Sequence, residues 1–198
     1  MKIVTSAQMR EIERQSETRG ISTDLLMENA GLLVAETCRR TIGVDEESQM
    51  SGRRVLVLVG PGDNGGDGIV AARHLSAWGA HTTVYLVTTG KGSHSKLSCL
   101  TSDVNVIRAV EDPNLSTLDL EISQASIIVD AVLGTGLSRP ISGHLASQMA
   151  KVSQAKLDRP ELIVVAVDMP SGVNSDTAKV DSSTIAADVT VALGFPKT

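Results

Sequence analysis

The sequence predicts an α/β fold: a three-layer α/β/α, Rossmann-like arrangement around a mostly parallel central sheet, in one domain over residues 1–198. Three observations predict it. "RVLVLVG" (54–60), "SIIVDAVLG" (126–134) and "ELIVVAVD" (161–168) are near-continuous apolar runs, as expected of strands buried on both faces. Segments with helical spacing of apolar residues separate them, which makes repeated β-α-β units. The glycine and polar residues gather immediately after the apolar runs, at the carboxyl ends where open parallel sheets bind ligands.

The elements follow in order. Residues 6–20 carry Met9, Ile12 and the stem of Arg10 at helical spacing and stop at Gly20. Residues 22–42 place Leu25, Leu26, Ala30, Leu33, Val34 and Cys38 on one helical stripe, with Ser22 or Thr23 as cap. Residues 43–52 are polar and predict a surface loop. A strand over 54–60 and a helix over 68–79 flank the glycine-rich "GPGDNGGDG", expected to be a loop. Further strands are expected over 81–87, 104–110, 126–134, 161–168 and 187–195. Helices are expected over 91–103, 115–124 and 142–157.

Composition narrows the function. Of 198 residues 41% are hydrophobic, which suits a folded domain, and the net charge of −5 offers no basic face for nucleic acid or an anionic membrane. Three aromatic residues, Trp78, Tyr85 and Phe195, are too few for a base-stacking platform. Cys38 and Cys99 are too few for a disulfide framework, so both are expected as reduced thiols in or near the core. The N-terminus lacks the apolar core of a secretory signal, and no run approaches the roughly 20 residues of a membrane span. The expected setting is cytoplasmic.

Three strand-end motifs carry the chemistry. "GPGDNGGDG" matches the spacing G-x-G-x-x-G. Yet Pro61 has no N–H, no ribose-binding acid follows "HTTVYLV", and no Lys-Ser/Thr makes it a P-loop. Asp130 lies inside an apolar run and needs a partner: an N–H group, a cation or a basic side chain. "GTGLSRP" follows it and brings Arg139, a fork suited to phosphate. In "VDMPSG", Asp168 ends a strand, Pro170 fixes the turn and Ser171 offers a hydroxyl; no G-x-S-x-G elbow accompanies it. His74, His81, His94 and His144 lack the spacing of a zinc site. Asn64, Asp130 and Ser171, at three neighbouring strand ends, form an oxygen set with one charge, which suits a monovalent cation better than a divalent one. Asp168 is then left for acid–base work.

These motifs resemble those of a known family. "LLMENAG", "GPGDNGGDGIVAARHL", "DAVLGTGLSRPISG", "VDMPSGVNSDT" and "ADVTVALGFPK" are similar, in order and across nearly the whole chain, to the YjeF N-terminal domain. The resemblance implies an NAD(P)H-hydrate epimerase, an isomerase interconverting the R and S forms of NADHX and NADPHX. It implies potassium (K+) held by Asn64, Asp130 and Ser171. Substrate contacts are implied for Asp63, Asn64, Gly65, Gly66 and Asp67, and for Gly134, Thr135, Gly136, Leu137, Ser138, Arg139 and Pro140. Asp168 is implied as a further contact and is the expected catalytic acid/base. Also implied are functional coupling to an ATP- or ADP-dependent dehydratase and dimerisation through the N-terminal helices.

Three features depart from the family. Asp63-Asn64 stands where two asparagines are usual, Asp176-Thr177-Ala178 stands where Asp-Thr-Gly is usual, and "GFPKT" ends where relatives continue, so the chain is expected to be a domain truncated at its C-terminal side or the front part of a bifunctional NAD(P)H-hydrate repair protein. Two rival readings differ in class. One is a non-catalytic interaction module of the same fold, which need not keep Asn64, Asp130, Asp168 and Ser171. The other is an NAD-dependent oxidoreductase, which the missing ribose acid and Pro61 disfavour.

Overall fold

A computed structural model describes residues 4–43, 50–88, 95–135 and 139–195. Six strands form one sheet in the order β3-β2-β1-β4-β5-β6: β1 (Arg54–Val59), β2 (His81–Leu86), β3 (Asn105–Arg108), β4 (Ile127–Ala131), β5 (Ile163–Val167) and β6 (Val189–Val191). Every pairing is parallel. Among the described residues there are five α-helices, α1 (Ser6–Thr18), α2 (Thr23–Thr41), α3 (Asp63–Ala77), α4 (Ser116–Gln124) and α5 (Gly143–Asp158), of which α2 to α5 contribute to the cores on the sheet's two faces. The expected α/β class and layer order are therefore observed.

Both sheet faces are buried, and the period of two in a strand sorts the side chains between them. Val55, Val57 and Val59 of β1 join Ile127, Val129 and Ala131 of β4 in a core with Val34 and Cys38 of α2 and Ile69 of α3. Leu56, Leu58 and Ile128 face the other way, onto Leu118 of α4 and Met149 and Val152 of α5. Asp130 falls by the same alternation on this second face.

Caps place the helices. The Thr5 side chain accepts from the Gln8 N–H, and Gln8 returns a bond to the Thr5 N–H, a reciprocal capping box on α1. Ser22 caps α2 by accepting the Leu25 N–H at 3.2 Å. Buried Asp112 serves α4 from outside it, accepting from Thr117 and Leu118 N–H at 3.0 and 2.9 Å and from the Tyr85 hydroxyl at 3.2 Å. Burial pushes its pKa up, but these donors outweigh that and hold it below the usual carboxylate range. Burial pushes the Cys38 thiol up to about 12, so Cys38 packs as an apolar residue.

Four sequence expectations are corrected. α3 begins at Asp63, so most of "GDNGGDG" is helix rather than loop. Met50, in the expected surface loop, is fully buried and gives its N–H to the Trp78 carbonyl at 2.6 Å; residues 44–49 lie outside the described residues. In place of the helix expected over 91–103, the described part holds a short 3-10 helix, Ser95–Cys99. The expected strand over 104–110 turns after Arg108 into a 3-10 helix, Ala109–Glu111.

Candidate functional site

The strand order reverses between β1 and β4, because β2 and β3 lie on one side of β1 while β4, β5 and β6 lie on the other. Three segments leave the sheet at the carboxyl ends there: the start of α3 after β1, residues 132–142 after β4, and residues 168–188 after β5. They hold the candidate residues.

Glycines let α3 approach the sheet. A Cβ on Gly60 or Gly65 would collide with a backbone carbonyl, of Val132 and Gly60 respectively. One on Gly68 would lie 2.5 Å from the Ala131 Cβ, and one on Gly66 would meet Met27 of α2 at 2.5 Å. Glycines that match the G-x-G-x-x-G spacing, Gly60 and Gly65, therefore serve close packing. The helix start is uncapped by any side chain, and exposed Asp63 sits in its first turn, where a carboxylate is favoured by the helix dipole. Asp67, one turn on, is 6% exposed.

Asn64 ties the three segments together. Its Nδ2 donates to the Val167 carbonyl at 2.8 Å, at the end of β5. Its Oδ1 faces Gly134, where a Cβ would lie 2.5 Å away. So the amide bridges the β4 and β5 ends from the first turn of α3, and only glycine at 134 leaves it room.

Asp130 is fully buried, and no cation among the described residues pairs with it. Oδ1 accepts from the Ser171 hydroxyl at 2.5 Å and the Val132 N–H at 3.3 Å, and Oδ2 accepts from the Ser171 N–H at 2.8 Å. Burial nevertheless keeps its pKa raised. Ser171 Oγ in turn accepts from the Leu133 N–H at 2.8 Å. The partners required for a buried carboxylate are thus N–H and O–H groups, two from Ser171 after the neighbouring strand and one from Val132 at the end of its own. Ser171 Oγ also lies 3.2 Å from the Leu133 carbonyl, and Asn64 is tied to the Val167 carbonyl at the next strand end. No group of three or more His, Cys, Asp or Glu that could hold a metal occurs among the described residues. By donor chemistry alone, the set Asn64, Asp130 and Ser171 offers oxygens with one ionisable group, the kind of set that suits a monovalent ion better than a divalent one.

Asp168 follows β5 with φ +65°, in the left-handed region, and is half-buried. Its N–H bonds the Val191 carbonyl at 2.8 Å and its Oδ1 accepts from the Leu193 N–H at 3.2 Å. Its neighbour Val167 carries the Asn64 bond, so Asn64 and Asp168 meet at the same strand end. Gly134 and Thr135 are half-buried beside them, Arg139 and Pro140 are exposed, and Gly136, Leu137 and Ser138 lie outside the described residues.

The profile of the family described as YjeF-related protein N-terminus matches residues 23–198. The chain belongs to this family. A bifunctional NAD(P)H-hydrate repair enzyme of Thermofilum pendens is 36% identical over all of this chain and 36% of its own length. The chain thus spans little more than a third of the bifunctional relatives it matches. An NAD(P)H-hydrate epimerase of Limosilactobacillus reuteri is 33% identical over 99% of this chain and 86% of its own. The crystal structure of yeast ynu0 superposes with a TM-score of 0.77 and 27% identity, over all of this chain and 82% of that one.

Within the YjeF-related domain, sequence reasoning missed the backbone groups of Leu133 and Val167, and it missed Asp181, which bonds the Ile141 N–H at 3.0 Å. "VDSST" carries an Asx-turn signal. Its partner lies forty residues away and leaves no mark in the local pattern.

Proposed function

We propose that this chain is an NAD(P)H-hydrate epimerase that interconverts the R and S epimers of NADHX and NADPHX. One observation carries the reading. A half-buried carboxyl, Asp168, follows the β5 residue whose carbonyl holds the Asn64 amide, one strand from the switch point, in a chain whose near-full-length relatives include enzymes named for this reaction.

The substrate has a hydroxyl on C6, next to the ring nitrogen. As the C6–O bond breaks, the nitrogen lone pair forms the N=C6 bond of a planar iminium. Asp168 supplies the proton that lets the hydroxyl leave as water, and is left as carboxylate. Water then adds to the opposite face, C6–O re-forms, the N=C6 pair returns to nitrogen, and the released proton passes through water in the cleft to Asp168. The proton balance closes on one residue and the centre is inverted. Among the described residues, Asp63 to Asp67, Gly134, Thr135, Arg139 and Pro140 would contact the dinucleotide, with Arg139 as phosphate fork. Asn64, Asp130 and Ser171 would hold a potassium ion, which when bound orients the loops and offsets carboxylate and phosphate charge.

The reading extends to a cytoplasmic setting and to coupling with a nucleotide-dependent dehydratase that consumes one epimer. Among the described residues no helix is long and apolar enough to cross a membrane. Exposed Ile21, Leu25 and Leu33, in or just before α2, support a homodimer through the N-terminal helices.

Asp168→Asn tests the chemistry. Asparagine takes the left-handed backbone readily, so the turn survives the swap. We expect chromatographic epimer exchange to slow by about 10²-fold or more, the scale of a lost general acid–base group. Exchange at the parent's rate removes Asp168 from the reaction, and a parent that exchanges no epimers favours the interaction-module reading.

A further inference from the structure

The segment after β4 is fastened at both ends to the segment after β5. At its entry, Leu133 N–H donates to Ser171 Oγ at 2.8 Å. At its exit, Ile141 N–H donates to Asp181 Oδ2 at 3.0 Å. Between these lie Gly134, Thr135, Arg139 and Pro140, and α5 starts two residues beyond Ile141.

Asp181 is itself held rigidly. Its Oδ1 accepts from the Ser183 N–H at 2.8 Å, its own N–H reaches the Gly172 carbonyl at 2.9 Å, and its carbonyl accepts from Thr184 N–H at 3.0 Å. Val173 and Val180 pair as an antiparallel bridge just before it. Gly172, at φ +102°, makes room for Thr184: a Cβ there would lie 2.2 Å from Thr184 Oγ1, with Ile141 Cδ1 at 3.2 Å and Asp181 Cβ at 3.3 Å close behind. The Ser183 and Ile141 N–H groups also hold the Asp181 carboxyl below the usual carboxylate range, so it stays an anionic acceptor at neutral pH.

We infer that Asp181 is a positioning residue for the dinucleotide: by fixing the Ile141 N–H it holds the backbone that directly follows Arg139 and Pro140, two of the proposed dinucleotide contacts. This inference rests on the epimerase reading. Asp181 touches no reacting atom, so its loss acts on binding rather than on the C6 chemistry.

Asp181→Ala and Asp181→Asn test it, the second keeping one acceptor oxygen. Two readouts are taken: epimer-exchange kinetics, and exchange of the Ile141 amide by NMR in ligand-free protein, with thermal melting as a control for folding. For Asp181→Ala we expect KM to rise about fivefold or more with kcat within about twofold, since uniform binding is lost. We expect the Ile141 amide to exchange about tenfold faster or more once its acceptor is gone. Asp181→Asn falls between parent and alanine in both. An Ile141 amide as protected as the parent's, or a fall in kcat at unchanged KM, overturns the inference. A parent that exchanges no epimers overturns the epimerase reading and this inference with it. An active parent with kinetically normal Asp181→Ala overturns the inference alone.

Discussion

Ser171→Ala should reveal how strongly the cleft depends on the buried Asp130. The substitution deletes the hydroxyl that donates to Asp130 Oδ1 at 2.5 Å and accepts the Leu133 N–H at 2.8 Å. At alkaline pH, where Asp130 is ionised despite its raised pKa, a hydrogen bond to the charged group contributes about 1.5–3 kcal/mol, and the half-buried Leu133 N–H left without its acceptor adds about 1 kcal/mol. The sum is about 3 kcal/mol, a melting-temperature loss of about 6–12 °C for a chain of this size. Asp130→Asn isolates the charge. A neutral bond at the same place contributes about 0.5–1.5 kcal/mol, so Ser171→Ala should be milder by about 1 kcal/mol in the Asp130→Asn background. Urea denaturation of parent, both single variants and the double variant reads this cycle, in tetramethylammonium chloride so that no small cation contributes. A Ser171→Ala loss below about 1 kcal/mol, or the same loss in both backgrounds, would refute the picture of a carboxylate held by this hydroxyl.

Two further outcomes are expected. Replacing tetramethylammonium by potassium at constant ionic strength should raise the melting temperature of the parent, by the equivalent of about 2.7 kcal/mol at a hundredfold excess over Kd. The rise should vanish in the Asp130→Asn, Ser171→Ala double variant, and equal melting of the parent in both salts counts against the ion. Ala178→Gly should stabilise the protein. Ala178 sits at φ +55°, a conformation costing a non-glycine residue about 1–2 kcal/mol, and the added freedom of glycine in the unfolded chain gives back about 0.4–1 kcal/mol. A gain of about 0.5 kcal/mol by urea titration is expected; a loss would show that the Ala178 methyl packs usefully.

The sheet was legible because its strands are buried on both faces and leave unbroken apolar runs. Asp130 was legible as a residue needing a partner, since a carboxylate within such a run must be satisfied. The start of α3 was not, because glycine is a poor helix former and local propensity reads "GDNGG" as loop. Tertiary contact decides instead: Gly65 lies on the Gly60 carbonyl and Gly68 on Ala131, so backbone closeness outweighs propensity. Met50 escaped notice because its neighbours are polar and its burial comes with a bond to Trp78 across the fold. Asn64 was read as an oxygen donor, and its NH2 proves to be equally engaged, on Val167. The usual glycine at position 178 acquires a reason, since the turn there adopts the left-handed backbone even with alanine in place.

The backbone at Asp168 narrows what could ever stand there. Beyond glycine, the residues that take φ near +65° with any ease are asparagine, aspartate and histidine. Glutamate, the other carboxylic acid, is not among them. Of those four, only aspartate can carry a proton on a carboxyl group. The end of β5 is therefore a place where the path of the chain favours aspartate over glutamate as the acid, while Leu115 and Ala178 show that this protein also carries other side chains at such φ, at an energetic cost.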